Sequence, residues 1–263
     1  MESIIISLIQ KFGRNVFIKK IVRSVIRKFG FDIISYKKYP LDFSPQNIEI
    51  YEAVKEFTMT GHENVNALID AISYLEDNKI DGAIVECGVW KGGSMMAAAL
   101  TLKRIGTEDR ELYLYDTFSG MTAPTDIDVG YGGEIAHENF SKTSIDEDAS
   151  DWCLSPLEDV RKNVFSTGYM KNKIHFIKGK VEDTIPKNTP EKIALLRLDT
   201  DWYESTKHEL KHLFPLLSKN GVLIIDDYGH WQGSRKAVDE YIAENNICIL
   251  LIRVAGSRIS VKQ

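Results

Sequence analysis

Two pairs of aspartates carry the most chemistry in this chain: Asp199 and Asp201 follow the apolar run Ile193 to Leu198, and Asp226 and Asp227 follow Val222 to Ile225. Carboxylates crowded together repel and raise one another's pKa unless a cation or a proton sits among them. A divalent metal answers that demand. Oxygen donors without a His or Cys at ligand spacing suit a hard ion such as magnesium better than zinc. Asp199 and Asp201, two apart in an extended chain, point the same way, which leaves one of them free to act as a base beside the metal. Helix capping is the competing use for an Asp at either place.

The elements that must position these groups read as strand, helix, strand. Glu204 to Leu217 has helical spacing, Asn220-Gly221 breaks it, and the continuous apolar runs on either side suit strands buried on both faces of a parallel sheet. Such a sheet delivers all four carboxylates to its carboxyl edge, where open α/β sheets bind ligands. Upstream, helices are expected over Ile48–Thr58 and Asn64–Asn78, with Thr58-Met59-Thr60-Gly61 between them. Ile80 to Glu86 reads as the first strand, followed by the loop Glu86 to Ser94, whose glycines let backbone approach a ligand, and by a helix from Met95 to Arg104. Leu112 to Tyr115 is a second strand ending in Asp116-Thr117-Phe118-Ser119-Gly120, where an acid holds a ribose diol in Rossmann-like folds.

Residues 121–154 show no regular pattern and carry Gly130, Gly132, Gly133 and His137, which predicts a lid over the ligand edge. A helix over Pro156–Thr167 and a strand over Ile174–Ile177 bring the turn Lys178 to Asp183, with Gly179, to the same edge. After Gly229 come His230, a helix near Ser234–Glu244, and a closing antiparallel pair, Ile247–Arg253 and Arg258–Val261, completing seven strands.

Composition sets the frame. At 263 residues, 43% apolar and 27% charged, the chain holds one α/β domain with an appendage, and no apolar run is long enough to span a bilayer. Three cysteines without CxxC spacing predict reduced thiols and a cytoplasmic protein, and no signal-peptide pattern is expected at the N-terminus. The net charge of -5 hides an asymmetry: residues 1–40 carry nine Lys or Arg against Glu2 and Asp32, or +7, leaving -12 for the rest. Apolar residues interleave with these at near-helical spacing. Residues 1–45 therefore read as a basic amphipathic arm, packing on its own acidic body or a partner subunit, or lying peripherally on the inner face of a membrane, ahead of a domain over 46–263. A nucleic-acid role is not expected, because the body is acidic.

With these residues in hand, the chain resembles the macrocin O-methyltransferase family, metal-dependent class I enzymes that methylate sugar hydroxyls with S-adenosylmethionine. The resemblance runs from about Thr58 to Ala243 and rests on four blocks in order: Val85 to Ser94, Asp116 to Gly120, Leu198 to Thr206, and Ile224 to Gly229. It implies a three-layer, Rossmann-like α/β class I methyltransferase sheet, mostly parallel with an antiparallel closing strand, after an N-terminal helical extension. It also implies that Glu86 and the loop containing Gly88, Gly92, Gly93 and Ser94 hold the methionine end of the cofactor. Asp116 would hold its ribose hydroxyls, while Thr117, Ser119, Gly179 and Asp199 complete the cofactor set and Thr58, Met59 and Thr60 close over it. Asp199, Asp226 and Asp227 match magnesium ligands and Asp201 the general base, with His137 or His230 next in line for the base. The acceptor is expected to be a sugar hydroxyl, and the assembly a homo-oligomer.

Three rivals are weighed against this. Asp199-Thr200-Asp201 is also a DxD, the spacing that binds a metal with a nucleotide-sugar in glycosyltransferases, although the glycine loop has only Lys91 for a diphosphate. A dehydrogenase is disfavoured because Glu86-x-Gly88 is not GxGxxG. The third rival is a catalytically silent scaffold held at a membrane surface by the arm.

Overall fold

In the computed structural model, which describes residues 23–30, 38–145 and 149–263, the alternation of each strand decides which side chains reach the functional edge. Five parallel strands, β1 (Ala83–Cys87), β2 (Leu112–Asp116), β3 (Ile174–Lys178), β4 (Ile193–Leu198) and β5 (Leu217–Ile225), are closed by antiparallel β7 (Ser257–Val261) and the edge strand β6 (Ile252–Val254). The order across the sheet is β3-β2-β1-β4-β5-β7-β6. The direction of winding reverses between β1 and β4, so the crevice for a ligand opens beyond their carboxyl ends.

Helices cover both faces. On one lie α1 (Pro45–Val54), α2 (His62–Asp77), α3 (Gly93–Ile105) and α5 (Leu157–Phe165); on the other lie α6 (Val181–Thr184), α7 (Tyr203–Leu213) and α8 (Gln232–Glu244), giving two buried clusters with the sheet between them. Ile84, Leu195, Val222 and Ile224 belong to the first cluster, whereas Val85, Leu196, Leu223 and Ile225 belong to the second. With a side-chain period of two, Glu86, Arg197, Asp199 and Asp226 all fall in phase with the first set. Register places Glu86 beside Arg197 and Arg197 beside Ile224. The ladder runs on past the strands through Gly88 N–H to Tyr115 O, Asp199 N–H to Cys87 O and Asp226 N–H to Leu198 O.

Several boundaries differ from expectation for local reasons. Helix α1 starts at Pro45, not Ile48, and ends at Val54, because the Ser44 hydroxyl caps it by accepting from Asn47 N–H and proline suits its first turn. Helix α7 stops at Leu213, and β5 begins at Leu217, where helix was expected. Asn220 (φ 63) and Gly221 are taken up in an irregularity of the β4–β5 register. The penultimate strand is only Ile252–Val254, since Ile247, Ile249 and Leu251 pack on the second cluster without a ladder partner.

The segment expected to lack regular structure contains α4 (Ala136–Thr143) and is pinned rather than loose. Val129 bridges Ile135, Gly130 bridges Trp231, and Ser144 bridges Ser150. Buried Asp128 anchors it further: Oδ2 accepts from Thr125 N–H and Oδ1 from Tyr203 N–H, capping α7 from outside the helix. Gly233 is glycine for the same reason, because a Cβ there would stand 1.9 Å from Asp128 Oδ1.

The compact unit holding the sheet spans Phe43–Gln263, with Phe43 against His62, and Met1–Asp42 forms a separate unit. Within that unit, residues 23–27 are helical, followed by a turn closed by Gly30 N–H to Arg27 O. Most of the expected basic arm, residues 1–22 and 31–37, lies outside the described residues. Among the described residues, no helix is long and apolar enough to cross a membrane.

Gly88 tests this packing. Its φ is +81, and a Cβ would meet the Asp199 carbonyl oxygen at 2.0 Å, backbone against backbone. Gly88→Ala is expected to cost about 2–4 kcal/mol of stability. Urea unfolding checks this, and wild-type stability in the variant would refute the requirement.

Candidate active site

Arg197 is the centre of the site. It lies on β4, is 3% exposed, and interrupts a run that is otherwise entirely apolar. Its NH1 donates to Glu86 Oε1 and Asp199 Oδ2, each at 2.5 Å; its NH2 donates to Asp226 Oδ1 at 2.8 Å and Thr60 Oγ1 at 2.9 Å. The fork thereby joins β1, β4, β5 and the segment before α2. Burial opposes its charge, but Asp199, Asp226 and Glu86 outweigh burial and hold it ionised. The carboxylates are therefore partly compensated from within. The sequence reading missed this residue, although one charge inside a buried strand was the available signal.

One guanidinium does not balance five acids. Asp199, Asp226 and Asp227 each place a carboxylate oxygen within 4.8 Å of the others, a cluster with the donor chemistry and spread to hold one hard cation. Burial first, and with it the neighbouring acids, push Asp199 and Asp227 well above the usual carboxylate range against the pull of Arg197. Asp201 is raised too, by burial and then by Asp199. The expected extended geometry at Asp201 is not what forms: its φ is +68, in the left-handed region, and its N–H donates to Asp227 Oδ2 at 3.2 Å. The turn, rather than strand alternation, brings its carboxyl back over the cluster. Oδ1 of that carboxyl accepts from the indole N–H of Trp231 at 2.7 Å.

Glu86 is 1% exposed and raised to about 7, chiefly by burial and against the pull of Arg197. Its Oε2 is buried without a hydrogen-bond partner, as is Asn64 Oδ1. Both residues line a cavity of about 390 Å³ that also includes Thr58, Met59, Thr60, Ser94, Asp199, Asp201, Asp226 and Asp227. Nine of the expected site residues thus share one wall system. A narrow adjoining cavity of about 70 Å³, with Met121 common to both, takes Gly88, Asp116, Thr117 and Gly179.

Gly92, Gly93 and Ser119 line neither cavity. A Cβ at Gly92 would meet Val164 Cγ2 at 2.8 Å and one at Gly93 the Phe57 carbonyl at 2.5 Å, so these glycines admit neighbouring protein. Ser119 is exposed. Asp116 clasps the glycine loop: Oδ2 accepts from Val89 and Trp90 N–H, and Oδ1 from Phe118 N–H. Burial raises its pKa against those three bonds.

Three tryptophans that the sequence reading did not assign to the site cluster at its lid side, Trp152 and Trp231 lining the main cavity. Trp152, Trp202 and Trp231 meet edge-on, with centroids 5.1–6.3 Å apart, and the Trp202 indole donates to Thr122 O. His230 lines the main cavity and lies 3.2 Å from Glu134, whereas His137 is outside it, 3.6 Å from Asp126. Ser257 donates to Asp226 Oδ1 and accepts from Asn64, extending the network to β7 and α2.

Comparison with known proteins follows from this geometry. Residues 17–260 match a family model described as Macrocin-O-methyltransferase (TylF), a longer match than the four blocks span and one that takes in most of the basic arm. The chain is similar to "Demethyldecarbamoylnovobiocin O-methyltransferase" of Streptomyces niveus, 30% identical over 200 residues, 75% of this chain and 72% of that one. It is equally similar to "Mycinamicin III 3''-O-methyltransferase" of Micromonospora griseorubida, 30% over 197 residues, 75% and 74%. A third relative, from Streptomyces olivaceus, is "8-demethyl-8-(2,3-dimethoxy-alpha-L-rhamnosyl)-tetracenomycin-C 4'-O-methyltransferase", 30% over 203 residues, 77% and 74%. Among solved structures, the O-methyltransferase NovP superposes with TM-score 0.67 at 27% identity, covering 79% of this chain and 82% of that one. CalS11, at 18% identity and TM-score 0.55 over 87% and 99%, shares the fold.

Removing Arg197 leaves buried acids unpaired. Arg197→Met is expected to lose about 3–5 kcal/mol near neutral pH and less in acid, as read by urea unfolding at two pH values. The wild type has its own pH signature. Glu86, raised from an ordinary 4.5 to about 7, contributes stability that is full below 4.5 and lost as pH rises through about 7. Without divalent cations, calorimetric melting should fall across that window, and Glu86→Gln should flatten the decline.

Proposed function

The chain belongs to the macrocin O-methyltransferase family and is an S-adenosylmethionine-dependent O-methyltransferase, and from that premise we propose that it methylates a sugar hydroxyl with Asp201 as base and magnesium held by Asp199, Asp226 and Asp227. One observation carries the reading: Asp201 lines the same cavity as the three clustered carboxylates and the buried, unpartnered Glu86 Oε2. The rhamnosyl acceptor in the name of the Streptomyces olivaceus relative supports the sugar.

The residues fit both groups. Glu86 Oε2 offers a buried acceptor to the ammonium of the methionine end, beside Thr58, Thr60 and Ser94. Asp116 keeps acceptor capacity for a ribose hydroxyl beyond its three backbone bonds, with Thr117 and Gly179 on the same cavity wall. Each of Asp199 and Asp226 gives one oxygen to Arg197, which leaves the other for a metal. S-adenosylmethionine supplies an activated methyl, and a bound magnesium supplies the charge that lowers the pKa of an acceptor hydroxyl.

The chain's own residues do the rest. Burial raises Asp201 out of the ordinary carboxylate range and brings its basicity closer to that of the proton it must take. Arg197 and Asp227 hold the surrounding acids in place, and Trp152 and Trp231 give the cavity an aromatic wall. Asp201 would take the proton of the acceptor hydroxyl as that oxygen receives the methyl group.

The glycosyltransferase reading is set aside, because the DxD belongs to a chain that the family assigns to methyl transfer. Peripheral membrane contact through the arm and a homo-oligomeric state stay part of the proposal.

The test is calorimetric titration with S-adenosylmethionine, with and without magnesium, followed by turnover on methyl α-L-rhamnoside, mycinamicin III and demethyldecarbamoylnovobiocin. Asp201→Asn is expected to bind the cofactor as wild type does and to lose about a hundredfold or more in turnover. Full activity of that variant would remove Asp201 as base and bring His230, the histidine that lines the cavity, forward. Turnover unaffected by chelation and by Asp227→Asn would remove the metal.

A further inference from the structure

The carboxyl of Asp201 is placed by its backbone but not aimed by it. The left-handed turn sets its Cα, and the Asp201 N–H is committed to Asp227. The terminal torsion of an aspartate is broad and roughly two-fold, so another group must select its orientation. Two side chains meet it, the carboxyl of Asp227 and the Trp231 indole; the indole is the neutral donor, its N–H donating to Oδ1 at 2.7 Å.

Trp231 has little freedom. It is 3% exposed, packs edge-on to Trp202 at 5.1 Å and Trp152 at 6.3 Å, and stands T-shaped to His230 at 4.8 Å. Its backbone bridges Gly130 of the lid, flanked by Tyr131 N–H to His230 O and Gln232 N–H to Val129 O. Trp202, its ring neighbour, donates to Thr122 O near the start of the lid. The lid thus holds the Trp231 backbone at Gly130, touches its ring through Trp152 and holds its neighbour Trp202 through Thr122.

We propose that Trp231 is a positioning residue for methyl transfer: its indole N–H pins Oδ1 of Asp201, so that the other carboxyl oxygen faces the acceptor hydroxyl, and the lid contacts hold that aim. The proposal rests on Asp201 being the base. A tryptophan that merely fills the core would make the same ring contacts but would not act through Asp201.

Two measurements test it on the full chain. The first needs no acceptor: the indole N–H resonance of Trp231, identified in 15N-labelled protein by its loss in Trp231→Phe. It is expected downfield and protected from exchange in the wild type, and to move upfield and exchange faster in Asp201→Asn. A resonance indifferent to Asp201→Asn overturns the proposal.

The second uses any acceptor that turns over in the panel above. Trp231→Phe, and separately a 3-benzothienylalanine at 231 that keeps the bicyclic shape while replacing N–H with sulfur, should each lower kcat by about 10–100-fold. Cofactor Kd and acceptor KM should change by less than about threefold. In an Asp201→Asn background, either change should cost less than about twofold more, because the two residues act as one unit. Full kcat in the benzothienyl variant, or losses that multiply with Asp201→Asn, overturns the positioning role and leaves the base intact. An active Asp201→Asn enzyme instead removes the base reading itself.

Discussion

A single buried guanidinium sets the terms for everything at the functional edge. Arg197 binds Glu86 on β1, Asp199 after β4, Asp226 after β5 and Thr60 before α2, four points that are far apart in the chain. Burying a charge costs several kcal/mol, and its partners offset that cost only when the geometry is good, so the net contribution to stability is small even though breaking the set is expensive. What the fork decides is position. It holds three carboxylates on one side of the crevice and makes no hydrogen bond to Asp201 or Asp227, so the two acids it does not bind are the ones that crowd against each other beside it.

Beside that charge the chain builds an aromatic wall. The three tryptophans, with Ala136 and Met121, form an apolar cluster apart from the two sheet-flanking cores. Asp128 ties the lid to the first turn of α7, and Gly233 leaves room for its carboxyl. The lid therefore stands on the same helix starts that follow the acid-bearing turns, and its position and that of the carboxylates are parts of one packing problem. The loop glycines contribute to that packing as well. Gly92 and Gly93 give way to valine side chains and to Phe57 backbone, which means a glycine-rich loop can owe its composition to the fold around it rather than to what it binds.

Much of this was legible from period-two alternation. Ile84-x-Glu86, Leu195-x-Arg197-x-Asp199 and Val222-x-Ile224-x-Asp226 are in phase, and in a parallel sheet residues in phase share a face. Departures came where local pattern and tertiary demand disagree. Phe214 to Leu217 has apolar spacing compatible with a helix, yet the sheet claims Leu217 because Ile193 needs a partner there. Ile247 to Leu251 alternates like a strand, but Ile247, Ile249 and Leu251 pack on the second cluster instead of joining the ladder. The helix Ala136–Thr143 is short and polar on most of its surface, so its two buried residues, Ala136 and Phe140, make too weak a stripe to read.

By itself, then, the sequence determined the sheet, the identity of its carboxyl edge and the acids delivered there, because hydrophobic alternation and residue type are local properties that parallel pairing merely adds together. The family follows from the same residues. Only the tertiary structure decided how those acids are shared: which of them Arg197 neutralises, which way Asp201 turns and what holds it there. Those outcomes depend on contacts between segments more than a hundred residues apart, Glu86 with Arg197 and Gly130 with Trp231 among them, and on a left-handed turn at Asp201, a conformation an aspartate tolerates but does not by itself dictate. No window of neighbouring residues contains that information, since it arises when distant side chains compete for the same few ångströms.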